Sequence, residues 1–509
     1  MSDKILVTSR SGLVEKYGKK GFDDVMRAVQ ALARADKHRG YVTRLIFLDD
    51  QKAMRRSRGT AVTDIKSGQQ HKEAIDSIYA TLKPEYLVIL DGPDVVPHVS
   101  LSNPASEDGD PDVPSDLPYA CDAPFVRRDP SLFTSVTRVV GRIPGIVGAK
   151  RPTFLIRLLD ASARFRPRPR KAYLQYFSIS AQVWQKSTQK SLKAIFGNAD
   201  KLFLSPPIKD SGANRYLGPL AHFINCHGDT ISPDFFGQRN KSYPIALTTD
   251  GVARHASART VVAAECCYGA ELYDPTLEAH DKPPICVSYL QRGAVGFFGS
   301  TNVAYGDAAR NSAADLITRY FLIEVLAGAS LGRACLQARQ KFVDTEDLDQ
   351  YNLKTLAQFI LLGDPSLHPC AEDDRDERQI TEVTDHSTAR GIRRMELAAM
   401  GKAAGDSAAF AGRKMRRPTT KFARRVFTIA REFGVRDGKL QTFESSGGPL
   451  YRNAMRAHDF KPSIYVVSKT VRPTAKIVPG SKRATPHVEA VVVHGCGNQV
   501  ARVAHYVSR

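Results

Sequence analysis

Short, unbroken apolar runs set between helix-like stretches constrain this chain more than any other feature. Tyr86-Leu87-Val88-Ile89-Leu90 is the clearest, closed by Asp91-Gly92-Pro93. Ala221–Asn225, Thr260–Ala264 and Ala294–Phe298 repeat the pattern downstream. A strand without polar alternation needs cover on both faces, the situation of a parallel sheet between helices. The intervening sequence supplies those helices, with apolar residues at helical spacing over Gly21–Ala35 and His71–Leu82 and a further helix over Ser312–Ala327. Arg44–Leu48 and Thr137–Val140 read as further strands, and Leu356–Leu362 leads into the turn Gly363-Asp364-Pro365-Ser366-Leu367. The expected class is α/β with a mostly parallel sheet.

At 509 residues the chain exceeds one ordinary core. The expected divisions are an α/β portion at 1–100, a portion carrying the chemistry at 101–370, a charged linker and basic helical region at 371–435, and a small strand-rich domain, α+β or β, at 436–509. Residues 101–135, rich in Asp, Pro and Ser, read as a long surface loop that shapes a cleft.

Lysine and arginine number 73 against 53 acidic residues, a net charge of +20. That excess favours an acidic protein, nucleic acid or an anionic membrane as partner without specifying one. It is densest at Arg413–Arg431, where Lys421–Phe433 forms an amphipathic pattern with Phe422, Val426, Ile429 and Phe433 near one face. A solvated face over a packed apolar one is the plain reading of that helix, and partner binding the other. No phosphate loop, zinc finger or RNA-binding module is present in the sequence. The eight cysteines are scattered without paired CxxC knuckles, which fits reduced thiols and no structural zinc. No apolar run reaches the roughly 18–20 residues that span a bilayer. Met1-Ser2-Asp3-Lys4 opens without an apolar leader, so a cytoplasmic location is expected.

Two strand ends carry the chemistry. His227-Gly228 follows Phe223-Ile224-Asn225-Cys226, and Glu265-Cys266-Cys267-Tyr268-Gly269 follows Thr260–Ala264. Reactive groups in parallel sheets collect beyond the carboxyl ends of strands, so the two can meet. A cysteine attacks a carbonyl only as thiolate and needs a base or an electropositive setting, since its free pKa lies near about 8.5. His227 is the candidate base. Gly228 leaves room for backbone beside a substrate, and Gly269 permits a sharp turn. Alternation along the chain sends Cys266 and Cys267 to different sides, one packed and one exposed. The caspase pattern Q-A-C-[RQG]-G overlays Glu265–Gly269 and puts the nucleophile at Cys267. Both reacting atoms are expected to border one solvent-reachable cleft. The second His-Gly pair, His494-Gly495, has no strand-borne cysteine at suitable spacing and reads as structural, while His222, Cys226, Cys266 and Cys286 read as packing residues.

Leu87–Pro97, Ser115-Asp116-Leu117-Pro118-Tyr119, Gly141-Arg142-Ile143-Pro144 and Leu361–Leu367 complete a likeness. Together with the His-Gly and Cys-Tyr-Gly pieces, residues 80–370 resemble the gingipain-type cysteine peptidases, peptidase family C25, of the clan that holds caspases, legumain and separase. The resemblance implies a caspase/gingipain-like three-layer sandwich and an endopeptidase acting on protein through a thioester. It implies Cys267 as nucleophile, His227 as acid and base, and the N–H groups of Gly228 and Cys267 as oxyanion donors. Gingipains also use an acid to orient the histidine. Asp116 is the first choice here, with Glu265 and Asp229 behind it. Asp116, with Glu265, is also a candidate for substrate binding, which at Asp116 would favour Arg or Lys before the cut. No cofactor is required by this chemistry; calcium occurs in relatives, but no ligand set is identifiable. A basic tail and no visible export signal depart from secreted gingipains and favour an intracellular, selective protease. The alternative is an inactive protease-like module or an adaptor working through the basic region.

Overall fold

The computed structural model describes residues 3–206, 210–308, 310–346, 348–371, 413–414, 420–444, 462–471, 487–496 and 499–509. All of the charged linker 371–378 except Ala371, and residues 415–419 of the basic stretch, lie outside the described residues.

A ten-stranded sheet forms the core. In chain order its strands are β1 (Lys4–Thr8), β2 (Thr43–Phe47), β3 (Tyr86–Leu90), β6 (Val139–Ile143), β7 (Tyr176–Ala181), β8 (Leu202–Ser205), β9 (Ala221–Asn225), β12 (Val261–Ala264), β13 (Gly296–Ser300) and β15 (Phe359–Gly363). The numbers between belong to two small antiparallel pairs, β4 (Val99–Ser102) with β5 (Asp112–Ser115) and β10 (Asp234–Phe236) with β11 (Ile245–Thr248), and to β14 (Tyr305–Gly306). Spatial order is β2-β1-β3-β6-β15-β13-β12-β9-β7-β8. Every residue of β3, β6, β9, β12 and β13 is buried. Side chains alternate between faces, so both faces are covered, as the unbroken apolar runs require.

The strand direction reverses at one place. Neighbours are parallel throughout, except that β15 runs antiparallel to β13 while lying parallel to β6. The carboxyl ends of β3 and β6 therefore lie at the opposite edge of the sheet from those of β9 and β12.

The helices follow local chemistry. Arg10–His38 begins where Ser9 accepts from the Gly12 N–H, and it kinks at Gly18, whose φ is 68°. It is longer than the Gly21–Ala35 pattern because its first turns are largely polar. Gly68–Leu82 starts on the Ser67 cap and stops at Lys83 in the left-handed conformation.

Residues 101–135 are not a surface loop. Leu101, Val113, Leu117, Tyr119 and Cys121 are fully buried. The apolar residues of the β4–β5 pair fall at alternate positions and pack inward, and the acidic residues find internal cations: Asp108 and Asp110 both bind Lys354. Composition suggested solvent, but pairing and ion partners decided the matter.

A second, antiparallel sheet holds β16 (Arg413–Lys414), β17 (Lys439–Glu444), β18 (Pro462–Val471), β19 (His487–Cys496) and β20 (Gln499–Ser508). Helix Thr420–Glu432 lays Phe422, Val426 and Ala430 on Tyr465, Val467, Val491 and Val493. Its apolar stripe is thus packed, with Arg424, Arg425 and Arg431 exposed. The far end of β20 continues this sheet onto β14 of the main body.

Candidate active site

β9 and β12 are parallel neighbours with Ile224 opposite Ala264, and the Glu265 N–H donates to the Ile224 carbonyl at 2.8 Å. The chain leaving β9 is held by a two-way bridge, His227 N–H to Phe236 O and Phe236 N–H to His227 O, each 2.8 Å. The next residue, Gly228, lies directly against the turn after β12: a Cβ there would collide with the carbonyl oxygen of Cys267. The two strand ends therefore touch, and only glycine fits the contact. In the turn the left-handed residue is Tyr268, with φ of 55°, rather than Gly269. Its hydroxyl donates to Asp110 at 2.6 Å, anchoring a conformation that a bulky residue otherwise avoids. Cys267 Sγ accepts from the Ala304 N–H at 3.2 Å and faces the Ala304 carbonyl at 3.6 Å.

The expected open cleft is closed. Cys267 is 1% exposed and His227 4%, and Cys266 is buried as well. Burial pushes the Cys267 thiol up to about 12 and holds His227 down to about 3, with the nearby His487 and Arg509 adding to the effect. Near neutral pH both groups are uncharged, a thiol and a neutral imidazole. His227 Nε2 lies 2.7 Å from Gln238 Oε1. The Gln238 amide nitrogen donates to Asn240 O and the Tyr243 hydroxyl, so its oxygen must face the ring. The imidazole proton then sits on Nε2 and leaves Nδ1 as the basic nitrogen. Trp184 at 4.3 Å and Tyr243 at 5.2 Å between ring centroids wall the imidazole.

Asp116 is not placed with His227. Its carboxylate is bound by Arg142 Nη2 at 2.6 Å, Arg142 Nε at 2.9 Å and His98 Nδ1 at 2.8 Å. Arg142 and His98 hold that carboxyl well below the ordinary range despite burial. Arg142 belongs to β6, in the half of the sheet that runs the other way. Asp229 accepts from the Thr230 N–H. Glu265 points beneath the site, where Thr318 Oγ1 donates to it at 3.2 Å. Burial and the adjacent Asp315 raise its pKa well above normal. His222 sits inside β9, bonded to Tyr289 and Pro219.

Gln238, Trp184, Ala304 and Asp315 border this region, and the sequence reading did not single them out. Only Trp184 carried a signal, as the one tryptophan of the chain. Among the described residues no group of His, Cys, Asp and Glu is arranged to hold a metal ion, and no helix is long and apolar enough to cross a membrane. A cavity of about 400 Å³ lies elsewhere, lined by Asn103, Arg128, Gln350 and Phe443 among others. It contains none of the groups just described.

Residues 236–370 match the profile of Peptidase family C25. The matched segment includes the Cys267 turn, Gln238, Ala304 and Asp315, with His227 just ahead of it. Among solved structures the chain is similar to the Saccharomyces cerevisiae separase–securin complex, at 12% identity and a TM-score of 0.30, over 46% of this chain and 14% of that one. No curated protein matches the sequence. The match over residues 236–370 supports a cysteine-peptidase-like assignment for that segment, about a quarter of the chain.

Proposed function

We propose that the chain is a cysteine endopeptidase on a caspase/gingipain-like sandwich, with Cys267 as nucleophile and His227 as acid and base. The observation that carries this reading is the contact of Gly228 with the Cys267 carbonyl at adjacent carboxyl ends of parallel strands. It brings the histidine-bearing and cysteine-bearing loops together beside the C25-matched segment. In the proposed reaction the Cys267 proton passes to His227 Nδ1 as the sulfur attacks the scissile carbonyl. The N–H groups of Gly228 and Cys267 receive the developing oxyanion. The C–N bond breaks as His227 returns the proton to the leaving amine. Water, deprotonated by the same imidazole, then hydrolyses the thioester and restores the thiol. Gln238 takes the orienting role first assigned to Asp116, holding the ring through Nε2.

A peptide-library digest comparing the parent chain with Cys267→Ala tests the proposal. Cleavage that disappears in the variant, together with labelling of Cys267 by an electrophilic peptide, is the expected result. Identical digests would leave a protease-like binding module instead.

A further inference from the structure

The groups that close the site come from the other end of the chain. β20 pairs antiparallel with β14, Ser508 opposite Tyr305 and Val507 opposite Gly306. Arg509 continues the same line, its N–H donating to Ala304 O at 2.9 Å. That carbonyl is the one facing Cys267 Sγ, so the Arg509 backbone and the sulfur share one acceptor. A peptide laid along an exposed strand beside a nucleophile is how an extended substrate binds by strand addition.

The side chain completes the picture. Arg509 is 2% exposed. Its Nη2 reaches both oxygens of Asp315, at 2.9 and 3.0 Å, and the Asp307 carbonyl at 3.1 Å. The guanidinium lies 4.3 Å from the Trp184 ring centroid, on the indole that also walls His227. Gly306 makes the space, since a Cβ there would strike the guanidinium. Asp315 is fixed in turn by Ser187 Oγ at 2.8 Å and the Asp307 N–H at 3.1 Å. Asp315 supplies the carboxylate that pairs with this cation.

We propose that residues 505–509 are an internal substrate mimic, seated as the residues before a scissile bond would be, so that the pocket of Asp315, Trp184 and Gly306 selects arginine before the cut and the segment holds the site shut. This rests on the peptidase reading and adds its specificity and its restraint. A planar guanidinium both stacks on Trp184 and pairs with Asp315; the lysine ammonium cannot do the first as well. The occupant is tethered, so its local concentration far exceeds that of free substrate.

The test compares the full chain with Arg509→Ala, Gly306→Ala and Asp315→Asn, each checked for folding by circular dichroism. Alkylation of Cys267 by iodoacetamide, followed by peptide mass mapping, needs no catalysis. It should accelerate about tenfold or more in Arg509→Ala and Gly306→Ala, as expected when a tethered occupant leaves. Fluorogenic peptides with Arg, Lys or Asp before the cut should show faster cleavage after arginine in Arg509→Ala and loss of that preference in Asp315→Asn. Unchanged alkylation in both folded occupant variants overturns the proposal, as does a released enzyme that prefers a non-basic residue. Faster alkylation with no cleavage by any form overturns the peptidase reading and the selectivity, while supporting the occupancy.

Discussion

Two buried arginine–aspartate pairs organise the main body, and they are built differently. Arg142 meets Asp116 across 26 residues of sequence, and Arg509 meets Asp315 across 194. Arg142 spends its donors on the framework: two on Asp116 and two on the carbonyls of Asp91 and Val96. Arg509 engages only Nη2; among the described residues its Nε and Nη1 have no hydrogen-bond partner. In the first pair every guanidinium nitrogen is bonded, as suits a permanent part of a scaffold. The second is a pocket with a lodger, complete on the carboxylate side and incomplete on the arginine side. Completeness of bonding separates a structural ion pair from one whose cation can be exchanged.

The largest test of that contrast removes the nucleophile. Cys267→Ala should cut peptide hydrolysis by a factor on the order of 10⁴ or more while both pairs and the melting temperature stay near parental values. Steady-state kinetics beside a thermal melt would check it. Next is the framework pair itself: Arg142→Ala strands the buried Asp116 carboxylate and should cost about 3–5 kcal/mol of stability in chemical denaturation. A loss no larger than that of Arg509→Ala would erase the distinction. Gln238→Ala releases the imidazole from its Nε2 anchor and should lower kcat about tenfold, near 1.4 kcal/mol, with a shifted pH–rate profile and intact folding. An unshifted profile would return Gln238 to a purely structural role.

Acid should also separate the two regions. His227 is held down to about 3 by burial, and so is His222, whereas unfolded histidine titrates near about 6.5. The unfolded chain therefore binds more protons below that pH. The stability these rings contribute is full above about 6.5 and shrinks as pH falls toward 3, by about 1 kcal/mol per ring already at pH 6. The Asp116 carboxyl, depressed in the folded state, keeps its contribution until far lower pH. Denaturation at pH 7.5 and 6 would show the loss, and a parent stabilised by mild acid would contradict it.

Much of the frame was legible because it follows from local pattern. Tyr86–Leu90 and Ala221–Asn225 fall on the strands that their apolar runs mark, and the amphipathic stripe at Phe422 and Val426 packs as drawn. Asp116 went to Arg142 and His98, partners that depend on how distant strands run, which no single segment encodes. The reversal at β15 arises only when distant strands pair. Residues 101–135 misled because composition cannot tell an acidic surface from acids that meet a buried Lys354. Arg509 was invisible for the plainest reason: nothing in a terminal Val-Ser-Arg says which strand it will join.

The antiparallel seam between β13 and β15 also sets a schedule. β2-β1-β3-β6 and β13-β12-β9-β7-β8 join in the sheet only through Phe359–Gly363. A ribosome that has delivered both the imidazole and the sulfur still holds two unsewn half-sheets, each with an unpaired inner edge. Only when residue 363 clears the exit tunnel can the seam close, so a nascent chain stopped before it should stay open at that edge.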